Sequence, residues 1–118
     1  MIEELITKIF AARNAAHLAH WKETSGYRHE TLAEFYDHLL DAVDKLVEAY
    51  QGAFELVDVE ELPKLGKVKD IMAQLEDDML WIGKNRVKIT QGLPALDNIL
   101  QELEGVYLKA LYKLRNLK

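Results

Sequence analysis

The sequence predicts an all-α protein folded as a four-helix bundle, and two observations lead to this. Apolar residues recur at intervals of three and four along four long segments, which places them on one face of a helix. Only two prolines and six glycines interrupt the 118 residues, and no Asn-Gly or Asp-Gly turn joins alternating segments, so a sheet has no support. Four such helices can bury their apolar faces only against one another. Residues 1–118 are therefore expected to form a single bundle domain.

The helix boundaries follow from the breaks in this pattern. A turn around Gly26 ends the first helix, Gly52 is expected to end the second, and Pro94 opens the last. The four helices are predicted over residues 2–23, 28–51, 65–87 and 94–117.

The connection over residues 52–64 decides the topology. Fully extended, it reaches about 43 Å, and the second helix should be about 36–39 Å long. A connection that crosses over along the whole bundle is therefore possible but nearly taut, and an up-down-up-down bundle is the simpler interpretation from length alone.

Composition restricts the classes of partner and of chemistry. The net charge of −5 argues against nucleic acid, because binding to phosphates needs clustered Lys and Arg. The absence of cysteine excludes disulfides and thiolate metal sites. No apolar run approaches the roughly 18 residues of a membrane span, and the N-terminus lacks the basic start of a secretory signal. We expect a cytoplasmic protein with neither a membrane nor nucleic acid as its partner.

All four histidines lie in the first third of the chain. His20 falls near the centre of the apolar face of the first helix, and His17 flanks it. A histidine that faces a core must be hydrogen-bonded or bound to a metal, because burying an unpaired polar group costs about 1–3 kcal/mol. A core histidine satisfied by a hydrogen bond is the simpler of these two interpretations. His38 points to the polar side of the second helix, towards solvent.

Two carboxylates on the second helix extend the candidate site. Asp44 and Glu48 are four residues apart and so lie over one patch of that helix. The default interpretation of such a pair is a solvated face. Together with imidazole, however, carboxylate oxygens suit Fe, Mn and Zn.

These residues cannot all bind one metal within a single chain. His29 precedes Asp44 by 15 residues on the same helix, a distance of about 22 Å. If the second helix packs antiparallel to its copy, centred near residues 37–38, His29 of one chain falls beside Asp44 and Glu48 of the other. An isologous dimer would form two such sites.

The segment from Ala19 to Glu48 resembles the ferroxidase segment of the Dps-type mini-ferritins of the ferritin-like superfamily. The shared motif is a His-Trp pair at residues 20–21, a glycine-containing turn, a His-Glu pair at residues 29–30, and a D-x-x-D-x-x-x-E run over residues 41–48. A weaker similarity, through residues 47–52, is to short Dps-like proteins of tailed bacteriophages.

The resemblance implies a fold, a metal and a set of ligands. It favours the ferritin-like topology with the crossover at residues 52–64. It implies a di-iron site across a two-fold interface, and hence a homodimer or a larger homo-oligomer, with Zn or Mn as alternatives to Fe. The metal ligands it assigns are His20, His29, Asp44 and Glu48.

Three departures from the family pattern leave the function open. The turn between the two ligand histidines is three residues shorter than usual, Ala33 stands where the family has its bridging carboxylate, and the basic N-terminal tail is absent. The first hypothesis is therefore an iron-binding oligomer, with Fe(II) oxidation weakened by Ala33. The second is a non-catalytic helical structural or interaction protein that kept the fold and lost the metal chemistry. The third, nucleic-acid protection, rests on family analogy alone.

Overall fold

The chain folds into four helices with no strand among the residues described here. The computed structural model describes residues 1–61, 66–67 and 69–117. The prediction of an all-α four-helix bundle is confirmed. The helices are α1 (Ile2–Lys22), α2 (Gly26–Ala53), α3 (Ile71–Thr90) and α4 (Pro94–Asn116).

The core is built from one face of each helix. The predicted apolar faces are buried, and side chains from all four helices form one cluster. Burying each large aliphatic side chain contributes about 1.5–3 kcal/mol, so this cluster stabilises the bundle. Fully buried members include Leu5, Leu39, Leu75, Leu100 and Tyr107.

Ion pairs show that α2 and α4 run antiparallel. Lys45 pairs with Glu102 at 2.8 Å, and Glu34, earlier on α2, pairs with Lys113, later on α4, at 3.0 Å. The two helices therefore run in opposite directions along the bundle.

The helices α3 and α4 are also antiparallel. Arg86 near the end of α3 pairs with Asp97 near the start of α4 at 2.7 Å, and Glu76 pairs with Arg115 at 3.0 Å. Since α2 and α3 both oppose α4, they are parallel to each other. The helices in contact are α1 with α2, α2 with α4, α4 with α3 and α3 with α1. The connection between α2 and α3 therefore runs along the bundle, which confirms the crossover and excludes the up-down-up-down topology.

The start of α3 corrects the prediction of a helix from residue 65. The helix begins at Ile71 because Asp70 is its N-cap, and the Asp70 carboxylate accepts a hydrogen bond from the Ala73 amide at 3.1 Å. Leu65 and Val68, which the apolar spacing assigned to this helix, lie outside the described residues.

The end of α3 lies at Thr90, three residues beyond the predicted end. Gln91 and Gly92 then adopt φ angles of 52° and 76°, and this left-handed turn ends the helix.

The helix α2 is longer than predicted at both ends. Ser25 caps it and accepts a hydrogen bond from the Arg28 amide at 3.3 Å, so the helix includes Gly26. Gly52 lies inside the last turn instead of ending the helix. The crossover therefore occupies residues 54–70 instead of 52–64. Its residues 58–61 and the first two turns of α1 line one open groove. None of the helices is long and apolar enough to span a membrane in the described part of the chain.

Candidate metal centre

His20 and His29 meet where α1 and α2 join. Their rings stack with centroids 3.6 Å apart and an interplanar angle of 20°. The backbone pairs them a second time, because His20 Nδ1 lies 2.7 Å from the carbonyl oxygen of His29 and His29 Nδ1 lies 2.6 Å from that of His20. Because the turn between α1 and α2 is short, it holds the end of α1 close to the start of α2, and both hydrogen bonds can form.

These hydrogen bonds determine which ring nitrogen holds the proton. A carbonyl oxygen can only accept, so each Nδ1 must donate. In the neutral ring the proton is then on Nδ1, and Nε2 keeps its lone pair. A backbone carbonyl on one ring nitrogen is the usual way in which a metal-ligating histidine is oriented. Both histidines are half-buried.

A cluster of stacked rings lies next to His20 and His29, along the edge where α1 meets α2. The His17 ring stacks on Tyr36 at 4.4 Å, and the Arg13 guanidinium lies 5.1 Å from the same tyrosine ring. Trp21 contacts His17 at 4.9 Å and is otherwise exposed. His17 is thus occupied by stacking, which explains why it lies near the pair without joining it.

The structure does not bring the predicted carboxylates to the histidines of the same chain. Asp44 and Glu48 are exposed on α2, and Asp44 lies about 22 Å along that helix from His29. Within one chain, no group of three or more histidine, aspartate and glutamate side chains among the described residues could hold a metal. The single chain therefore supplies two parts of the candidate site at separate places.

Both parts lie along the same edge of the bundle. Helical spacing places Ala33, Leu40 and Val47 on the flank of α2 beside α1, in line with Asp44. All three apolar side chains are half-buried. His38 instead lies on the flank towards α4, in a shallow groove with Lys109, and is exposed as predicted.

A family comparison covers most of this architecture. The model of one family matches residues 20–114, from the first of the two paired histidines almost to the end of α4. The chain belongs to DUF5856, a family of unknown function. No curated protein and no solved structure matches it.

The DUF5856 match contains all four predicted metal ligands. The 19 residues that precede it form most of α1. The family description states no activity, so the resemblance to Dps-type mini-ferritins and the ligand set it implies stay predictions.

The sequence reasoning missed one buried polar pair. Asp78 of α3 is in the core, where its carboxylate accepts a 2.9 Å hydrogen bond from the Tyr107 hydroxyl of α4. Burial raises the pKa of Asp78 to about 6. Asp78 follows Leu75 by three residues and precedes Ile82 by four, so the helical spacing could have located it on the buried face.

Proposed function

We propose that this protein binds Fe(II) at a site shared by two copies of the chain. His20 and His29 come from one copy, and Asp44 and Glu48 from the other. The observation that supports this most is the pair of Nδ1 hydrogen bonds to backbone carbonyls, which leaves Nε2 of each neutral ring unprotonated and able to bind a metal. Two imidazoles and two carboxylates also suit Zn or Mn.

The dimer that this proposal requires uses the edge where α1 meets α2. A two-fold axis near residues 37–38 sets the histidines of each copy beside the carboxylates of the other. Leu40 and Val47 are half-buried there, and Trp21 is exposed, so apolar surface is available for a second copy to cover. In the described part of the chain neither Asp44 nor Glu48 has a cation within 4.0 Å, so both are available to a metal.

The chemistry proposed is binding and sequestration of iron rather than rapid oxidation. Bound iron would supply a redox centre. Ala33 offers no carboxylate where a bridge between two metal ions would lie. Paired-metal sites hold their ions about 3.5–4 Å apart and depend on such shared ligands. We therefore expect this chain to bind iron even though its oxidation of Fe(II) is slow.

An anaerobic calorimetric titration with Fe(II), with the oligomer mass measured on the same sample, tests the proposal. We expect near-stoichiometric binding by a dimer or larger species. His29→Ala and Glu48→Ala should each weaken it at least tenfold, because each removes a direct ligand. His38→Ala is the matched control and should bind as the wild type does. Unchanged affinity in both ligand variants would refute the assignment.

A non-catalytic helical interaction protein is the second candidate. Ala33 favours it, as do the exposed apolar side chains of α3 and α4, such as Leu80 and Leu108. This candidate predicts a stable oligomer that retains no metal through purification. Stoichiometric iron in the purified protein would contradict it.

A further inference from the structure

The face formed by α3 and α4 exposes a group of large apolar side chains. It lies on the side of the bundle away from α1 and α2. Single exposed apolar residues are ordinary, but contiguous ones mark interaction surfaces. The four side chains and their exposed fractions are Leu80 (65%), Val87 (69%), Leu108 (55%) and Tyr112 (57%).

The register between the two helices sets Leu80 and Leu108 level with each other on this face. Tyr107 bonds to Asp78, and Glu104 pairs with Arg86, so residues 80–83 lie level with residues 105–108. Gly83 is exposed on α3 at this level, whereas Gly105 lies on the flank of α4 towards α2, in the groove with His38 and Lys109. A Cβ added at either glycine would meet no atom within 4 Å. The surface near Leu80 is thus open at Gly83.

The outward side of α3 has charges in an order that suits a second copy. Ala73, Asp77, Leu80, Lys84 and Val87 are separated by intervals of four, three, four and three, which places them along one line of the helix. Asp77 precedes Leu80 on this line, and Lys84 follows it. Neither Asp77 nor Lys84 lies within 4.0 Å of an opposite charge among the described residues.

We propose that a second copy of the chain docks on this α3–α4 face. The two α3 helices would pack antiparallel about a two-fold axis near Leu80. That arrangement sets Asp77 of each copy beside Lys84 of the other, twice, whereas a parallel arrangement would oppose like charges. The order of the charges therefore selects both the occupant and its direction.

The size of the face fits a modest interface. The 20 residues of α3 span about 30 Å, and two helices are about 20 Å wide, so the face measures roughly 600 Å². A standard interface buries about 800 Å² on each partner. Association is therefore expected to depend on protein concentration. This surface is independent of the metal site, and together the two two-fold contacts would link dimers into a larger homo-oligomer.

A charge-swap cycle tests the docking. Asp77→Lys and Lys84→Asp should each weaken association at least tenfold in sedimentation equilibrium, and the double variant should restore it. All four proteins also have Leu40→Asp, which prevents the dimer contact at the α1–α2 edge. The measured association then reports on the α3–α4 face alone, whether or not the metal-site dimer exists. Equal association in all four proteins, or no recovery in the double variant, would overturn the proposal.

A cysteine cross-link gives a second measurement. The chain has no cysteine, and residues at a two-fold axis face their own copies. Leu80→Cys should form a disulfide-linked dimer under mild oxidation at dilute protein concentration. Leu56→Cys, exposed on the crossover, is the control and should stay largely monomeric. Equal cross-linking of the two variants would also overturn the proposal.

Discussion

At the scale of the residue, Asp78 has the most unfavourable environment among the described carboxylates. It is 6% exposed, and desolvation raises its pKa from 3.8 to about 6. The Tyr107 hydroxyl partly offsets this by donating a hydrogen bond to the carboxylate. Burial also raises the pKa of Tyr107, so its phenol stays protonated as the donor.

This carboxylate should make the protein less stable as the pH rises. Between about pH 4 and pH 6 the folded chain keeps a proton that the unfolded chain has released. The stabilisation is complete below the unfolded pKa and is lost as the pH rises through the folded pKa. The free energy of unfolding that is lost between these two limits is about 3 kcal/mol. Urea unfolding from pH 4 to pH 8 should show this slope, and Asp78→Asn should remove it. The exposed neighbour Asp77→Asn should keep it; equal slopes in the two variants would contradict the assignment.

The tyrosine of this pair should contribute measurably at neutral pH. Tyr107→Phe leaves the ionised Asp78 without its donor and should lower the free energy of unfolding by about 2 kcal/mol at pH 7, since hydrogen bonds to charged groups contribute about 1.5–3 kcal/mol. Tyr112→Phe alters an exposed hydroxyl and should change the stability by less than about 0.5 kcal/mol. Similar losses in both variants, measured by chemical denaturation, would show that the buried hydrogen bond has no special role.

At the scale of the element, the turn between α3 and α4 depends on left-handed backbone conformations. Gln91 and Gly92 have φ angles of 52° and 76°. Gly92→Ala should cost about 1–2 kcal/mol, because a Cβ is disfavoured in this conformation. Gly52→Ala is the matched control; it lies in the last turn of α2 with open space around it and should stabilise by up to about 1 kcal/mol. Thermal unfolding distinguishes the opposite signs, and a loss of stability in both would contradict them.

The elements show what the sequence could and could not predict. Apolar periodicity is a local property, so it located all four helices. Apolar residues upstream of Asp70 have a helix-compatible spacing. The sequence therefore predicts a start for α3 that precedes this N-cap. The direction of α3 was settled by contacts between distant residues, such as Glu76 with Arg115, that local patterns do not contain. Similarly, the resemblance to the mini-ferritins assigned His20 and His29 as ligands, but their reciprocal hydrogen bonds depend on ring orientations that no sequence motif specifies.

At the scale of the whole molecule, the bundle presents two contrasting faces. The α1–α2 edge has the paired histidines, the aromatic stack and the unpaired carboxylates, whereas the α3–α4 face has apolar side chains and ordered charges but no histidine. Their opposite positions on the bundle would allow both to be occupied at once. The proposed metal site requires only the first contact, and the proposed larger assembly requires both.

Mixed dimers test the shared site most directly. One variant has His20→Ala and His29→Ala, the other has Asp44→Ala and Glu48→Ala, and neither alone should bind Fe(II). When the two are unfolded and refolded together in equal amounts, about half of the dimers should be hybrids with one intact site each, which restores about a quarter of the wild-type sites. Anaerobic titration of the mixture should find that fraction. A mixture that binds no iron, or either variant binding as the wild type does, would contradict a site built from two chains.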